Sequence, residues 1–526
     1  MPSTDFRDLS ALIAEHAAER PDAAAVIVDG QRLSYGELDA LVARVAAALQ
    51  RDGLQPQRCI AICGASSIAY VALFIGALRA GLAAAPLAPS STPAQLAAMV
   101  GDAGAPLVFI DGAVAAMGVD WPAGSTVLRM DQAPIEAPGG ATFDAWLTPE
   151  GTRPQPVRID PGWPFNLIYS SGTTGTPKGI VQPHAMRWAH IQRAALSGYG
   201  PDAITLIATP LYSNTTLVAV IPTLALGGCV VLMPKFEAGA YLRLAQAHRA
   251  THTMLVPVQY QRLMARPDFG DFDLRSFRHK FSTSAPFHAE LKADVLARWP
   301  GALTEYYGMT EGGGTVILQA HLHPNKLHTV GQPSEGHDIR LIDEDGAELP
   351  QQPGVASAVS GEVVGRSPGM MSGYHGRPDL TAAAEWFDSE GRRYIRTGDV
   401  GRFDADGFLI LQDRRKDMVI SGGFNIYPSD LEAVLRQHPA VADAAVVGVP
   451  SVQWGETPVA LVVRRAGHAE DGETLRAWAN AQLGKTQRLS ALKLVADLPR
   501  SAIGKVLKRE LRDAWTNDQP HTEDKA

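Results

Sequence analysis

Short, continuous apolar runs recur along about the first four hundred positions, at 23–28 (AAAVIV), 58–63 (RCIAIC), 105–110 (APLVFI), 205–210 (TLIATP) and 227–233 (GGCVVLM). Amphipathic stretches separate them. In SYGELDALVARVAAALQRDG, at 34–53, Leu and Val recur every three or four residues and Gly53 supplies a stop. Apolar strands separated by helices predict parallel sheets covered on both faces. The most apolar stretch, 70–88, is interrupted by Gly76, Arg79, Gly81 and Pro86. It predicts a buried helix running into a strand, not the ~20 unbroken apolar residues of a membrane span. No period of 20–50 residues repeats. Loops are expected at 137–141 and 351–354. At 398–411, GDVGRFDADGFLIL predicts two strands joined by a turn at Asp406-Gly407. A charged run, 413–417 (DRRKD), then opens a second α/β pattern that ends near Trp515, and the polar residues 516–526 are expected to be a disordered tail.

With 526 residues, 46% of them hydrophobic, the chain can bury a core without disulfide or metal staples. A formal charge of −8 excludes nucleic acid or an anionic membrane held by bulk positive charge. Three cysteines suit a reducing compartment, and Cys59 and Cys63 read as buried thiols within an apolar strand. The first residues have neither the basic start nor the apolar run of a secretory signal, so a cytoplasmic protein with no transmembrane segment is expected. His321, His323 and His328 do not match a zinc spacing.

The strongest chemical signal is Tyr169-Ser-Ser-Gly-Thr-Thr-Gly-Thr-Pro-Lys178-Gly179. Its glycines and hydroxyls allow N–H and O–H donors to converge on an anion, and Lys178 adds positive charge. It is not a Walker loop, because Pro177 stands where the second glycine should fall and Gly179 follows the lysine.

This run resembles the phosphate loop of the adenylate-forming superfamily: acyl-CoA synthetases, peptide-synthetase adenylation domains and luciferases. Four further stretches agree in order and spacing: Glu305-Tyr-Tyr-Gly-Met-Thr-Glu311, Tyr394-Ile-Arg-Thr-Gly-Asp399, Asp413-Arg-Arg-Lys-Asp417 leading into Ile420-Ser-Gly-Gly-Phe-Asn-Ile-Tyr-Pro428, and Pro499-Arg-Ser-Ala-Ile-Gly-Lys505. The resemblance implies an α/β protein with a large multi-subdomain N-terminal domain (1–412) of parallel-type sheets packed by helices. A hinge (413–417, pivoting at Lys416) and a small mobile α+β C-terminal domain (418–515) would follow.

The same resemblance implies the cofactors ATP, Mg²⁺ and coenzyme A, and a small-molecule carboxylic acid as substrate. Ser170, Ser171, Gly172, Thr173, Thr174, Gly175 and Lys178 would hold the ATP phosphates. Thr310 would contact the α-phosphate and Glu311 would hold Mg²⁺. Tyr307, Ser284 and Ala285 would contact the nucleotide, with Asp399 and Arg414 at the ribose. Lys505 would offset the charge that develops as a carboxylate attacks the α-phosphorus. Rotation about the hinge would replace Lys505 by the loop of Gly422, Gly423 and Phe424 at the pantetheine arm, with Lys485 and Arg488 toward the coenzyme A phosphates. Ser429 and Glu432 form a capping-box pattern for the helix behind that loop.

The acyl pocket is expected from Tyr212, Ser213, Asn214, Thr283, Gly308 and Gly313, with Gly312, Gly313 and Gly314 leaving room beyond. Ser213 departs from the family's usual histidine and reads equally as a helix cap. Gly484-Lys-Thr-Gln-Arg488 replaces a common Tyr-Lys-x-Pro. The implied activity is AMP-forming ligation of a fatty or aromatic acid to coenzyme A. Loading of a carrier-protein phosphopantetheine, luciferase-type oxygenation and a non-catalytic binding protein are the alternatives. Tyr212-Ser213-Asn214 lacks the aspartate of amino-acid-activating relatives, and no carrier segment follows Lys505. A homodimer is left open.

Overall fold

The computed structural model describes residues 5–131, 141–170, 178–352, 354–414, 417–421, 424–484, 487–501 and 504–517. By contacts the chain forms two units, Met1–Ile339 with Gly365–Ile395, and Arg340–Val364 with Arg396–Ala526.

Two sheets organise the first unit. One contains, in spatial order, Gln332–Pro333, Thr315–Gln319, Ala302–Gly308, His279–Ser282, His252–Leu255, Ile204–Ile207, Cys229–Leu232, Ala24–Val28 and Gln31–Ser34. The other runs Gly373–Tyr374, Lys178–Pro183, Pro164–Ser170, Ala83–Leu87, Cys59–Cys63, Leu107–Ile110, Thr126–Arg129 and Ala141–Thr142. Their middles are parallel, and strands such as Cys59–Cys63, Ala83–Leu87 and Cys229–Leu232 are buried at every position, as strands covered on both faces must be. The edges differ from the sequence expectation. Pro164–Ser170 pairs antiparallel with Lys178–Pro183, and Ala302–Gly308 pairs antiparallel with Thr315–Gln319. Two loops that carry the chemical motifs are therefore hairpin connections, placed where each sheet changes from parallel to antiparallel.

Helices form where the periodicity places them. Tyr35–Arg51 begins with a reciprocal capping box between Ser34 and Glu37 and is followed by Gly53 at φ +80°. Ile68–Arg79 is buried from Tyr70 to Leu78 and leads into Ala83–Leu87. A Cβ at Gly76 would stand 2.6 Å from Val45 Cβ, so glycine lets these two helices touch. Cys59, Cys63 and Cys229 are all buried, and burial pushes the Cys59 and Cys63 thiols up to about 12. Among the described residues no helix is long and apolar enough to cross a membrane.

The second unit is built on the long hairpin Val441–Ser451 and Gly455–Arg464, with Ala491–Val495 parallel to the latter. Alternation along Val441–Ser451 divides its core. Ala444 and Val446 face the helices Pro428–Arg436 and Gly472–Gln482, whereas Ala445, Val447 and Val449 pack with Leu498 and Leu511. Arg393–Phe403 and Leu409–Arg414 form the expected hairpin, with Gly407 at φ +77°. The latter strand runs through the first two residues of the expected hinge.

Two local expectations change. Helix Pro428–Arg436 has Tyr427 as its N-cap and no side-chain cap bond, because Pro428 occupies the first helical position and moves Ser429 inside. Glu432 instead accepts from Val446 N–H at 2.8 Å and pairs with Lys508 at 2.9 Å. At the far end, helix Lys508–Asn517 continues past Trp515 into the expected tail.

Candidate active site

Ser170 and Lys178 are direct partners in the Pro164–Ser170/Lys178–Pro183 ladder, so the two ends of the phosphate-loop motif lie side by side. Ser171, Gly172, Thr173, Thr174 and Gly175 fall outside the described residues, and only the backbone of Ser170 is described. Gly179 makes a close approach there: a Cβ would stand 3.1 Å from the Tyr169 ring, whose hydroxyl donates to Asp102 Oδ2 at 2.7 Å. Lys178 Nζ lies 5.5 Å from the centroid of the Tyr374 ring.

The second hairpin, 309–314, carries Thr310 and Glu311. Glu311 is half-buried and accepts a hydrogen bond at Oε1 from the Tyr374 hydroxyl at 2.8 Å. It makes no ion pair among the described residues. A half-buried carboxylate fixed at one oxygen, with the other left to coordinate, fits Mg²⁺, which takes one or two carboxylates and keeps several waters. Burial and the neighbouring Glu311 carboxylate raise the Tyr374 phenol well above its ordinary pKa, so it stays a donor.

Thr310 is anchored from behind. Gln182 Nε2 donates to Thr310 O at 2.6 Å and to Asn214 Oδ1 at 3.3 Å. Its Oε1 accepts from Asn166 Nδ2 at 2.9 Å and from Arg187, which also donates to Asn166 Oδ1 at 2.9 Å. Asn166 and Gln182 are fully buried and Arg187 is 1% exposed. This network ties both strands flanking the phosphate loop to Thr310 and to Asn214. None of its three inner members was singled out from sequence. The signal was there in a polar residue inside each apolar strand, PFNLIYS and KGIVQP, since buried amides need partners. Tyr374 was also missed, and its Gly-Tyr-His-Gly surroundings carry no periodicity to mark it.

Near Asn214, Ser213 caps helix Asn214–Ala225 and accepts from Thr215 N–H at 3.3 Å, the capping role weighed for it. Thr215 Oγ1 and Ser284 Oγ are 2.5 Å apart. Ser284 adopts φ +81°, a strained conformation for a residue with a side chain, while Thr283 and Ala285 beside it are half-buried. Tyr212 is half-buried, with its phenol raised by burial. Tyr307 is half-buried and Gly308 exposed on strand Ala302–Gly308.

The glycines after Glu311 do not leave room as expected. A Cβ at Gly313 would be 2.6 Å from Ile395 Cβ, one at Gly312 would strike Gly369 O, and one at Gly314 would strike Ile339. Their missing side chains let this hairpin pack on 365–369.

In the second unit, Asp399 and Arg414 face each other in the ladder, beside a bulge between Asp399 and Gly401. Asp399 N–H donates to Thr397 Oγ1 at 3.0 Å, and that hydroxyl donates to Val363 O at 2.8 Å. The Arg414 side chain lies outside what is described. Lys505 closes a tight loop: its N–H donates to Ser501 Oγ at 3.2 Å, Ser501 N–H donates to Lys505 O at 2.8 Å, and Gly504 sits at φ +75°. Arg500 braces the loop, donating to Gly504 O at 2.8 Å and pairing with Asp443. Arg488 is exposed. Lys416, Gly422, Gly423 and Lys485 fall outside the described residues, as does the side chain of Phe424.

Comparison with known proteins shows the family of the chain. The model of the AMP-binding enzyme family matches residues 13–375, and that of the AMP-binding enzyme C-terminal domain matches 430–505. The chain belongs to the AMP-binding enzyme family. Feruloyl-CoA synthase from Amycolatopsis sp is 34% identical over 498 residues, 94% of this chain and 96% of that protein. The fatty acid–[acyl-carrier-protein] ligase ScoC from Streptomyces coeruleorubidus is 32% identical over 517 residues, 96% and 95% of the two chains. Among solved structures, the amide bond synthetase McbA from Marinactinospora thermotolerans matches with a TM-score of 0.84 at 30% identity, covering 96% of this chain and 99% of that one. The mixed α/β architecture of this AMP-binding enzyme, with one large and one smaller unit, agrees with the class expected from its sequence.

Proposed function

We propose that this AMP-binding enzyme is an acid–thiol ligase that activates a fatty or aromatic carboxylic acid with ATP and transfers the acyl group to coenzyme A. The carboxylate oxygen attacks the α-phosphorus, the bond to the bridging oxygen breaks, and pyrophosphate leaves. The coenzyme A thiolate then attacks the carbonyl carbon of the acyl-adenylate and AMP departs. The observation that carries this reading is Glu311, held at one oxygen by Tyr374 and free of any described ion pair, in the same unit as Lys178. A carboxylate and a lysine on two hairpin loops suit a triphosphate and its counter-cation.

Lys178 and the 170–175 loop bind the phosphates, Thr310 meets the α-phosphate, and Asp399 with Arg414 takes the ribose. Mg²⁺ at Glu311 would neutralise phosphate charge when bound. Lys505 serves adenylation. The hinge at 413–417 then exchanges it for the Gly422–Gly423–Phe424 loop, which serves thioester formation with Lys485 and Arg488. Tyr212, Ser213, Asn214, Thr283 and Gly308 line the acyl end, without Gly313, whose side-chain space Ile395 fills.

Loading of a carrier protein is the second reading, favoured by the 32% identity to ScoC across 96% of the chain. Pyrophosphate release with ATP, Mg²⁺ and a panel of fatty and aromatic acids, with and without coenzyme A, decides between them. Acyl-CoA formation supports the first reading. Pyrophosphate release without acyl-CoA favours carrier loading, and no release with any acid refutes both.

A further inference from the structure

Tyr374 is half-buried against the cluster of Ile180, Met371 and Ile395. It belongs to a two-residue strand, Gly373–Tyr374, added to the edge of the sheet beside Lys178–Pro183, with Tyr374 opposite Ile180. Three further bonds fix this short piece. Tyr374 N–H donates to Thr381 Oγ1 at 2.9 Å, His375 N–H to Gly179 O at 2.7 Å, and Met371 N–H to Glu311 O at 2.8 Å. Gly373 is at φ +149°, and a Cβ there would lie 2.9 Å from Thr381 Oγ1, so the approach needs glycine. The segment is thus bonded both to the strand that leaves the phosphate loop and to the backbone of Glu311.

The side chain then makes two different contacts. Its hydroxyl donates to Glu311 Oε1 at 2.8 Å, and its ring has Lys178 Nζ 5.5 Å from the centroid. We propose that Tyr374 is a positioning residue that holds Glu311 and Lys178 together as one unit for the metal–triphosphate end of ATP. The hydroxyl orients the carboxylate and leaves its second oxygen for the cation. The ring attracts the ammonium without neutralising it, as a carboxylate in the same place would. Residues that orient a metal-binding carboxylate commonly account for ~10–100-fold in metal affinity or activity. The inference rests on the roles given to Glu311 and Lys178 above.

Two substitutions separate the contacts. Y374F keeps the ring and removes the hydroxyl; Y374L removes both. ATP binding to the full chain is measured by calorimetry in EDTA and in Mg²⁺, beside the thermal midpoint and pyrophosphate exchange, with E311Q as reference. Y374F is expected to lose ~10-fold of the Mg²⁺-dependent gain in ATP affinity, with affinity in EDTA and the midpoint unchanged. In Y374L, affinity in EDTA is expected to fall as well, by ~3-fold or more, as the cation–π contact is lost. A full Mg²⁺-dependent gain in Y374F overturns the inference. So does an equal loss of affinity with and without metal, which would mark a structural role. If E311Q itself keeps the full gain, the metal role of Glu311 falls, and this inference falls with it.

Discussion

Lys292 and Glu305 form a buried ion pair behind the strand that carries Tyr307, with side chains 2% and 6% exposed. The Lys292 ammonium also donates to Leu327 O at 2.8 Å and Thr329 O at 3.1 Å, so its three protons all have partners. Lys292→Met removes the cation and leaves Glu305 in the core. Breaking such a pair costs ~3–5 kcal/mol, because an uncompensated charge stays buried. Protonation caps the charge part. A carboxyl with an unfolded pKa of ~4.3 can be neutralised at pH 7 for ~1.36 × 2.7, or about 3.7 kcal/mol, and at pH 5.5 for about 1.6 kcal/mol. Burial already holds the Glu305 pKa above its ordinary value, and loss of Lys292 removes the main effect opposing that rise. The folded pKa then exceeds the unfolded one, so the mutant binds its proton more tightly when folded and regains stability as pH falls from 7 toward 4.3. Urea unfolding followed by tryptophan fluorescence should therefore show K292M less stable than wild type by ~3–5 kcal/mol at pH 7, with ~2 kcal/mol of that recovered at pH 5.5. K292M/E305L should recover most of the loss at both pH values, since an apolar pair of similar volume is often neutral. A loss below ~1 kcal/mol, or one independent of pH, refutes the buried-charge account.

Lys505→Ala should lower adenylate formation by ~10²–10³, as losing one transition-state donor does, yet spare thioester formation from supplied acyl-adenylate; equal losses in both half-reactions would end its assignment to the first step. His184 and His252 are buried, and burial lowers each to about 4. Their neutral forms support folding above the unfolded pKa of ~6.5, and that support is lost as pH falls from there toward 4, by on the order of 3 kcal/mol each. Replacing His184 with Gln should flatten the acid limb of the stability–pH curve, and an unchanged slope would contradict this. Gly312→Ala combines φ +76° with a clash against Gly369 O, and urea unfolding should show a loss of ~2–5 kcal/mol.

The α/β class, the buried helix running into a strand over 70–88 and the places of the motif-bearing loops were legible because each rests on local pattern: apolar runs for strands, three- and four-residue spacing for helices, and dense glycine and hydroxyl clusters for the loops. What escaped depends on pairing across the chain. Antiparallel edges cannot be read from strand composition, since a ladder's direction is set by the neighbour. The reason for Gly312–Gly314 was misread for the same cause. A glycine run looks like empty space in one dimension, and only the approach of 365–369 shows that the space is filled. At Ser429 the failure was local: proline's preference for the first helical position outweighed the Ser-x-x-Glu pattern.

The two edge hairpins also explain why a polar network lies deep in an apolar unit. A parallel sheet ends its strands in loops anchored only at one side, whereas a hairpin at the switch to antiparallel pairing is held by ladder bonds on both arms. Ser170 opposite Lys178 and Gly308 opposite Thr315 fix the bases of both loops in this way. Ladder bonds within each sheet cannot, however, set the distance between two loops on different sheets. That link comes from outside the two ladders, and Gln182 supplies its buried part by reaching from the first hairpin to Thr310 O in the second. Buried so far from water, Gln182 must be satisfied at every polar atom, which is the demand that Asn166, Arg187 and Asn214 meet. The network is thus a consequence of building one site from two sheets, and Tyr374, bonded to both hairpins from the edge, meets the same need nearer the surface.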